Sequence, residues 1–327
     1  MRPNTRDAAV LTAALCLLGL LAGVSVCVGS FPLSLSQIVA LLQGKYSDSL
    51  EAQVFWSLRL PRVAAGLLAG LGLGLAGGVY QSIFRNPLAS PDLTGVSSGA
   101  SFGAACAIVS GTGSALSIMA GAFCGGLLSL LLVLLLVRAA RMERTGTYVL
   151  AGIIISSGAQ AGLMCLKLMA DPERELASIE FWTMGSLASL TAGKLALLLL
   201  FRRPVTILSL GEETARSVGL STRFWRALLL GLTTLMVAAL AAVAGVIAFV
   251  GLIAPHIAFL LLRRRGGSSL TLCALVGGCL VLGADILARS LSPGAELPLS
   301  IFTILFSIPL LALLLCGKLG GRYGRAP

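Results

Sequence analysis

The sequence predicts an all-α polytopic membrane protein with about ten transmembrane helices. Of its 327 residues, 57% are hydrophobic and 11% are charged, whereas about a quarter of the residues in a soluble globular protein are charged. The apolar residues form runs of about 20, the length that an α-helix needs to cross a bilayer. The alternating strands of about ten residues that a membrane barrel requires are not found in the sequence.

Ten apolar runs define the predicted spans. They are Ala8–Val28, Val63–Gln81, Leu93–Val109, Ala115–Val137, Tyr148–Leu168, Gly185–Phe201, Phe224–Ala244, Val246–Leu262, Leu270–Leu287 and Leu297–Cys316. The first run is long enough to span and many spans follow it, so we interpret it as a retained helix and not as a signal peptide. We expect residues 1–327 to form a single transmembrane domain.

The basic residues predict the orientation of the spans. With both termini in the cytoplasm, seventeen of the 24 Lys and Arg residues fall on the cytoplasmic side and seven outside. Cytoplasmic loops of membrane proteins carry such an excess of positive charge. The net charge of +11 is therefore explained by topology, and nucleic acid is not expected as a partner.

One cytoplasmic segment, Ser209–Arg226, is polar and amphipathic although its surroundings are apolar. Ser209 and Glu212 have the spacing of a capping box, and Gly219 suits the position that follows a helix. The predicted helix, within residues 209–221, has only two to three turns, so it would not be stable alone in water. We expect it to be held against another surface.

Regularly spaced glycines predict closely packed helices. The second span carries four at intervals of four residues, Gly66, Gly70, Gly74 and Gly78. The third span repeats this spacing with Gly95, Gly99 and Gly103. Small residues on one face of a membrane helix let a neighbouring backbone approach closely. We interpret these glycines as packing positions and not as a ligand site.

Few residues of the chain could carry chemistry. The sequence contains no phosphate-binding GxxxxGK[ST] loop, no HExxH, and a single histidine, His256, for which a structural role is predicted. None of the eight cysteines forms a CxxC pair, so neither disulfides nor a metal site is expected. Asp285 and Lys167 lie near outer span ends, and few ionisable groups lie deeper, although an ion-driven carrier would need them there. The chain is therefore predicted to be a conduit that another subunit energises.

Long stretches resemble the permeases of iron-chelate (siderophore), haem and cobalamin importers, the membrane subunits of type II ATP-binding-cassette importers. The stretches are RLPRVAAGLLAGLGLGLAGGVYQSIFRNPLASPDLTGVSSGASFGA (Arg59–Ala104), GEETARSVGLS (Gly211–Ser221), GVIAFVGLIAPHIA (Gly245–Ala258), ADILAR (Ala284–Arg289) and AELPLSIFTILFSIP (Ala295–Pro309). They occur in the order of the family and cover most of the chain. One departure is Phe259, where the family usually has arginine.

The resemblance implies roles for particular residues. The segment Gly211–Gly219 is similar to the coupling helix that rests on the ATPase subunit. Its implied contacts are Gly211, Glu212, Glu213, Ala215, Arg216, Val218 and Gly219. Arg59, Arg62 and Arg289 match outward-facing arginines that dock the binding protein, and we favour this role over anchoring to lipid headgroups. Asn86 and Leu88 resemble residues of the inner gate, and a helix cap before Pro87 is the open alternative.

The resulting hypothesis is a permease that imports a bulky iron chelate across the inner membrane of a prokaryote by alternating access. Haem and cobalamin are alternative substrates. The implied partners are cytoplasmic ATP-binding subunits, an extracytoplasmic substrate-binding protein and a second permease chain, identical or related. The chain is expected to bind no cofactor and not to be an enzyme, with ATP and magnesium on the ATPase. The rival hypotheses are a channel or secondary carrier acting alone, and an intramembrane enzyme, which lacks an assembled nucleophile or metal set.

Overall fold

The computed structural model describes most of the chain. The described residues are 5–29, 31, 33–45, 49–84, 86–111, 114–141, 145–187, 222–262, 267–291 and 297–315. Every regular element within these ranges is helical, which confirms the predicted all-α class.

The helices are numbered here in chain order. They are α1 (Thr5–Cys27), α2 (Leu35–Leu42), α3 (Leu50–Gln53), α4 (Leu60–Phe84), α5 (Val96–Val109), α6 (Ala115–Ala139), α7 (Thr145–Met169), α8 (Glu175–Thr183), α9 (Thr222–Ala244), α10 (Val250–Leu262), α11 (Gly267–Ser290) and α12 (Leu299–Leu315). A π-helical turn, Val54–Arg59, joins α3 to α4, and a 3-10 turn, Pro91–Thr94, precedes α5.

Nine predicted spans coincide with described helices: α1, α4, α5, α6, α7, α9, α10, α11 and α12. Five helical stretches are long and apolar enough to cross a membrane, namely 5–27, 50–84, 115–139, 146–169 and 268–290. The sixth predicted span, Gly185–Phe201, lies largely outside the described residues, and residues 185–187 are not helical. The count of ten spans and the location of the termini therefore remain predictions.

Helix α4 lies at the centre of the described bundle and packs most extensively against α11. A Cβ atom added at Gly70 would lie 2.5 Å from the carbonyl oxygen of Gly277 and 2.6 Å from Cα of Gly278, both on α11. Gly66, Gly74 and Gly78 face the same helix. The two backbones touch at Gly70 and Gly74, whereas Gly66 and Gly78 meet side chains of α11, so the spacing of four residues marks a direct helix–helix contact.

A second glycine contact joins α5 to α6. A Cβ atom at Gly99 would lie 2.5 Å from the carbonyl oxygen of Gly125, and Gly103 meets the backbone of Gly121 in the same way. Gly95 has a different role, because it adopts a left-handed φ of 73° where the 3-10 turn passes into α5. Of the three regularly spaced glycines in this span, only Gly99 and Gly103 therefore pack against α6.

The predicted span Val246–Leu262 begins too early, because its helix, α10, starts at Val250. Gly245 and Phe249 have positive φ angles of 71° and 65°, and residues 245–248 are not helical. Ser300 of α12 stabilises this break, since its Oγ atom accepts from the Ala248 amide at 3.3 Å and donates to the Val246 carbonyl at 2.9 Å. A hydrophobicity pattern could not predict the break, because the backbone groups that it frees are paired by a distant residue.

Candidate functional site

The three arginines assigned to docking lie together at one end of the bundle. Arg59 ends the π-helical turn, Arg62 lies in the first turn of α4, and Arg289 lies in the last turn of α11. This is the end predicted to face outward. The exposed fractions are 7% for Arg59 and 8% for Arg289, and 11% for the side chain of Arg62. The three side chains are therefore brought together but are nearly buried.

Asp285 connects two of these arginines. Its Oδ1 atom accepts from Nε of Arg62 at 2.9 Å and from Nη2 of Arg62 at 2.8 Å, so two N–H groups of one guanidinium share a single carboxylate oxygen. Its Oδ2 atom lies 2.8 Å from Nη2 of Arg289, one helical turn further along α11. Asp285 is only 1% exposed. A single buried carboxylate therefore orients two guanidinium groups from two helices.

The end of α1 supplies acceptors for the other donors of the cluster. Arg289 donates to the carbonyl oxygens of Val28 at 2.7 Å and Ser25 at 3.1 Å, and to Oγ of Ser25 at 2.7 Å. Arg59 donates to the carbonyl oxygens of Val28 and, at 3.1 Å, Phe31. The last carbonyls of a helix lack partners within the helix and carry partial negative charge. The arginines thus tie α1, α4 and α11 together.

Sequence reasoning assigned no role to Asp285 in this cluster. Asp285 and Arg289 are four residues apart on one helix, and this spacing alone indicates a pair. The contact between Arg62 and Asp285 joins residues that are far apart in the sequence, and only the packing of α4 against α11 creates it.

The residues assigned to the inner gate lie in the connection between α4 and α5. Oδ1 of Asn86 accepts from the Leu88 amide at 2.9 Å, and the Asn86 carbonyl accepts from the Ala89 amide at 3.1 Å. These bonds form a tight, Asx-type turn around Pro87, in the connection between the end of α4 at Phe84 and the 3-10 turn that begins at Pro91. Leu88 is 61% exposed, so its side chain is available for a contact outside the described chain.

A chain of hydroxyl groups holds the next part of this connection. Thr94 donates to the Pro91 carbonyl at 2.8 Å, so its oxygen accepts from the Tyr80 hydroxyl at 3.0 Å. The Tyr80 oxygen in turn accepts from Thr234 of α9 at 3.1 Å. All three hydroxyl-bearing residues are buried. The order of donors is thus fixed, and it ties the 3-10 turn to both α4 and α9.

The single histidine is part of a buried hydrogen-bond cluster. Nδ1 of His256 lies 2.8 Å from the Leu252 carbonyl, which also accepts from Nε2 of Gln81 at 3.1 Å. A carbonyl can only accept, so Nδ1 carries the proton. Within the described residues, no group of three or more His, Cys, Asp and Glu side chains could hold a metal ion. This arrangement agrees with the structural role predicted for His256.

Phe259, the departure from the family pattern, is buried in an apolar cluster of α10 and α11 with Ala258, Leu262 and Cys273. An arginine there would have to be buried among these side chains. The predicted coupling residues Gly211, Glu212, Glu213, Ala215, Arg216, Val218 and Gly219 lie outside the described residues.

Comparisons with known proteins identify the family. Residues 15–317 match the model of the FecCD transport family. The molybdate import permease MolB of Haemophilus influenzae is 35% identical over 313 residues, covering 91% of this chain and 92% of that protein. The vitamin B12 import permease BtuC of Klebsiella pneumoniae is 35% identical over 293 residues, covering 83% and 85%.

The hemin transport permease HmuU of Yersinia pestis is 35% identical over 206 residues, covering 58% of this chain and 60% of that protein. A solved structure assigned to the metal-chelate type of ABC transporter, in an inward-facing conformation, superimposes with a TM-score of 0.79 at 34% identity, covering 94% of this chain and 99% of that chain. In this family the permease is one subunit of an ABC transporter, and a separate subunit hydrolyses ATP. The chain belongs to the FecCD transport family of ABC transporter permeases.

Proposed function

We propose that this permease imports a bulky iron chelate of the siderophore type across the inner membrane of a prokaryote. The family match over residues 15–317 is the observation that carries this proposal. Haem and cobalamin remain alternatives, since relatives of similar identity are named for hemin and vitamin B12. The molybdate relative shows that a much smaller oxyanion also has a permease of this kind.

The exposed face of α7 favours a bulky ligand over an oxyanion. Ile153, Ile154 and Met164 are each more than half exposed on this helix. Ser157 and Gln160 are exposed beside them, although the helix is long enough to span a membrane. Uncharged polar groups in an apolar span are better suited to an aqueous path or a second chain than to lipid. Such a wall offers apolar contact area, and the basic residue in the last turn of α7, Lys167, is already paired with Glu180.

Substrate choice is tested by ATP-dependent uptake into proteoliposomes that contain the permease, its ATPase and its binding protein. We expect accumulation of a radiolabelled iron siderophore that stops when ATP is omitted. Accumulation of haem, cobalamin or molybdate in place of the siderophore would move the assignment to that substrate. Flux without the ATPase would contradict the importer mechanism and support the channel or carrier hypothesis.

We further propose that the segment 209–221 is the coupling helix and transmits closure of the ATPase to α9, which begins at Thr222. The charge reversals Glu212→Arg and Glu213→Arg are expected to abolish uptake and co-purification of the ATPase while leaving membrane insertion unchanged. Their physical effect is to replace attractive contacts with like charges, which costs several kcal/mol at an interface.

The matched control for this experiment is Glu173→Arg, a reversal at an exposed residue of the turn before α8, at the end of the bundle predicted to face outward. It should leave uptake and co-purification intact. Undiminished co-purification in the Glu212→Arg, Glu213→Arg variant would exclude this segment as the ATPase contact.

Docking of the binding protein at the arginine cluster remains part of the proposal. Arg62 has the most accessible of the three side chains, at 11% exposure, and its guanidinium already pairs with Asp285. A carboxylate of the binding protein would therefore share or replace an internal partner. Charge reversal at Arg62 would place two carboxylates together and damage the fold, so docking is better examined with the uncharged variant Arg62→Gln.

A further inference from the structure

Helix α2 lies in the connection between α1 and α4 and presents an apolar stripe that none of the described residues covers. Leu35, Val39 and Leu42 are 74%, 47% and 63% exposed. The helix is short but fixed at its start by a capping box in which Ser34 and Gln37 exchange hydrogen bonds. The exposed stripe therefore belongs to a defined surface and not to a fraying end.

The sides of α2 have three different characters. At about 100° per residue, Leu35, Val39 and Leu42 fall within about 60° of one another. The adjacent side, with Ile38 and Leu41, packs on Ala52 and Phe55 of the following helical stretch. Ser36, Gln37 and Ala40 occupy the remaining side, where Ser36 and Gln37 are exposed. A helix with one side on protein, one apolar side and one polar side is suited to a membrane surface.

The depth of α2 in the bilayer follows from the length of the helical stretch against which it packs. The stretch Leu50–Phe84 has 35 residues, about 52 Å at 1.5 Å per residue, while the hydrocarbon core of a bilayer is about 30 Å thick. Phe55 precedes Phe84 by a helical distance of about 43 Å, and a whole bilayer with its headgroups measures about 40–45 Å. When Phe84 lies at one surface of the bilayer, Phe55 reaches the headgroup level of the other surface. Helix α2, which packs on Phe55, lies at the same level.

We propose that α2 is an interfacial helix, with Leu35, Val39 and Leu42 inserted among phospholipid acyl chains at the end of the bundle predicted to face outward. Trp56, 49% exposed, and Leu58, 57% exposed, extend the same kind of surface on the π-helical turn. Tryptophan is enriched at this level because its ring is apolar and its N–H is polar. Lys45, exposed just after α2, lies where an ammonium group can meet lipid phosphate.

An interfacial α2 would also hold the nearby arginine cluster in place. The carbonyls that receive Arg59 and Arg289 belong to the end of α1 and to Phe31, immediately before α2. A helix held in the lipid interface would fix this connection against the membrane plane. The arginine cluster would then keep a constant depth while other helices move. This inference depends on the fold in a membrane and not on the substrate or the ATPase.

Spin-label accessibility tests the proposal in the full-length protein, reconstituted in phosphatidylethanolamine and phosphatidylglycerol. Single cysteines are introduced by Leu35→Cys, Val39→Cys and Leu42→Cys into a background without native cysteines. Ser36→Cys and Gln37→Cys on the polar side are matched controls. We expect collisions with oxygen, which dissolves in lipid, to dominate for the first three labels, and collisions with a water-soluble nickel chelate to dominate for the controls.

Two results would overturn the proposal. Equal access of the nickel chelate to all five labels would place the stripe in water. Labels at 35, 39 and 42 that are shielded from both reagents would show that a protein covers the stripe, and shielding that arises only when binding protein is added would identify that partner.

A second measurement keeps the native cysteines. In the variant Trp182→Phe, Trp225→Phe, only Trp56 remains fluorescent. We expect phospholipids brominated on their acyl chains to quench Trp56, whereas loss of this quenching with retained quenching by aqueous iodide would contradict the interfacial placement.

Discussion

Replacing Asp285 with asparagine is expected to lower the free energy of unfolding by about 3–5 kcal/mol, because it leaves two buried guanidinium groups without their shared anion. Asp285 is 1% exposed and lies within 2.9 Å of both Arg62 and Arg289. Asparagine preserves the shape and one acceptor, so the loss reports charge and not volume. The measurement is unfolding of the purified permease by a denaturing detergent, followed by circular dichroism.

The chain offers a matched control for this prediction. Lys167 and Glu180 form an ion pair at 2.7 Å whose side chains are 27% and 44% exposed. Glu180→Gln should cost no more than about 1 kcal/mol, because water solvates both partners and screens their attraction. A double variant, Asp285→Asn with Arg62→Gln, should recover part of the loss. Equal losses for Asp285→Asn and Glu180→Gln would show that the buried cluster contributes no more than a surface pair.

Replacing Gly70 with alanine is expected to cost about 1–3 kcal/mol, the range found when a packed interior receives an additional methyl group. The new Cβ would lie 2.5 Å from the Gly277 carbonyl oxygen and 2.6 Å from Cα of Gly278, so α4 and α11 would have to separate. Backbone atoms cannot rotate away as a flexible side chain can. The larger variant Gly70→Leu should prevent accumulation of folded permease in the membrane.

Gly283→Ala is the control, since a Cβ added at Gly283 of α11 meets no atom within 4 Å. It should be neutral or stabilising by up to about 1 kcal/mol, because alanine favours a helix more than glycine does. The same detergent-induced unfolding measures both variants. If Gly70→Ala were as stable as Gly283→Ala, the close contact between α4 and α11 would not be needed for the fold.

The glycines and the arginines show how much of a tertiary contact a sequence pattern can predict. The spacing of Gly66, Gly70, Gly74 and Gly78 indicates that a close neighbour exists, because only close approach rewards a glycine in a helix. It does not say which neighbour, and the structure places α11 there. The resemblance selected Arg59, Arg62 and Arg289 as one functional group. It did not indicate that these side chains are nearly buried and bound within the chain.

Helix α2 is an element that the sequence analysis did not predict. Ser34 and Gln37 have the spacing of a capping box in the sequence, so the start of α2 could have been predicted from local signals. It is not one of the predicted spans, because these are apolar runs of about 20 residues and a helix of eight residues cannot cross a bilayer. The break at residues 245–249 has a different cause, since Ser300, far along the chain, pairs its backbone groups.

The sequence by itself determined the all-α membrane class, the approximate position of nine helices, and the family. Each of these depends on composition, on the length of apolar runs or on contiguous motifs, which are local along the chain. The tertiary structure alone decided that Asp285 joins Arg62 to Arg289, that α4 packs its glycines on α11, and that the apolar stripe of α2 is left uncovered by the described residues. The first two features arise where residues distant in the sequence meet, and the third arises where no distant described residue reaches α2, and no local pattern records either outcome.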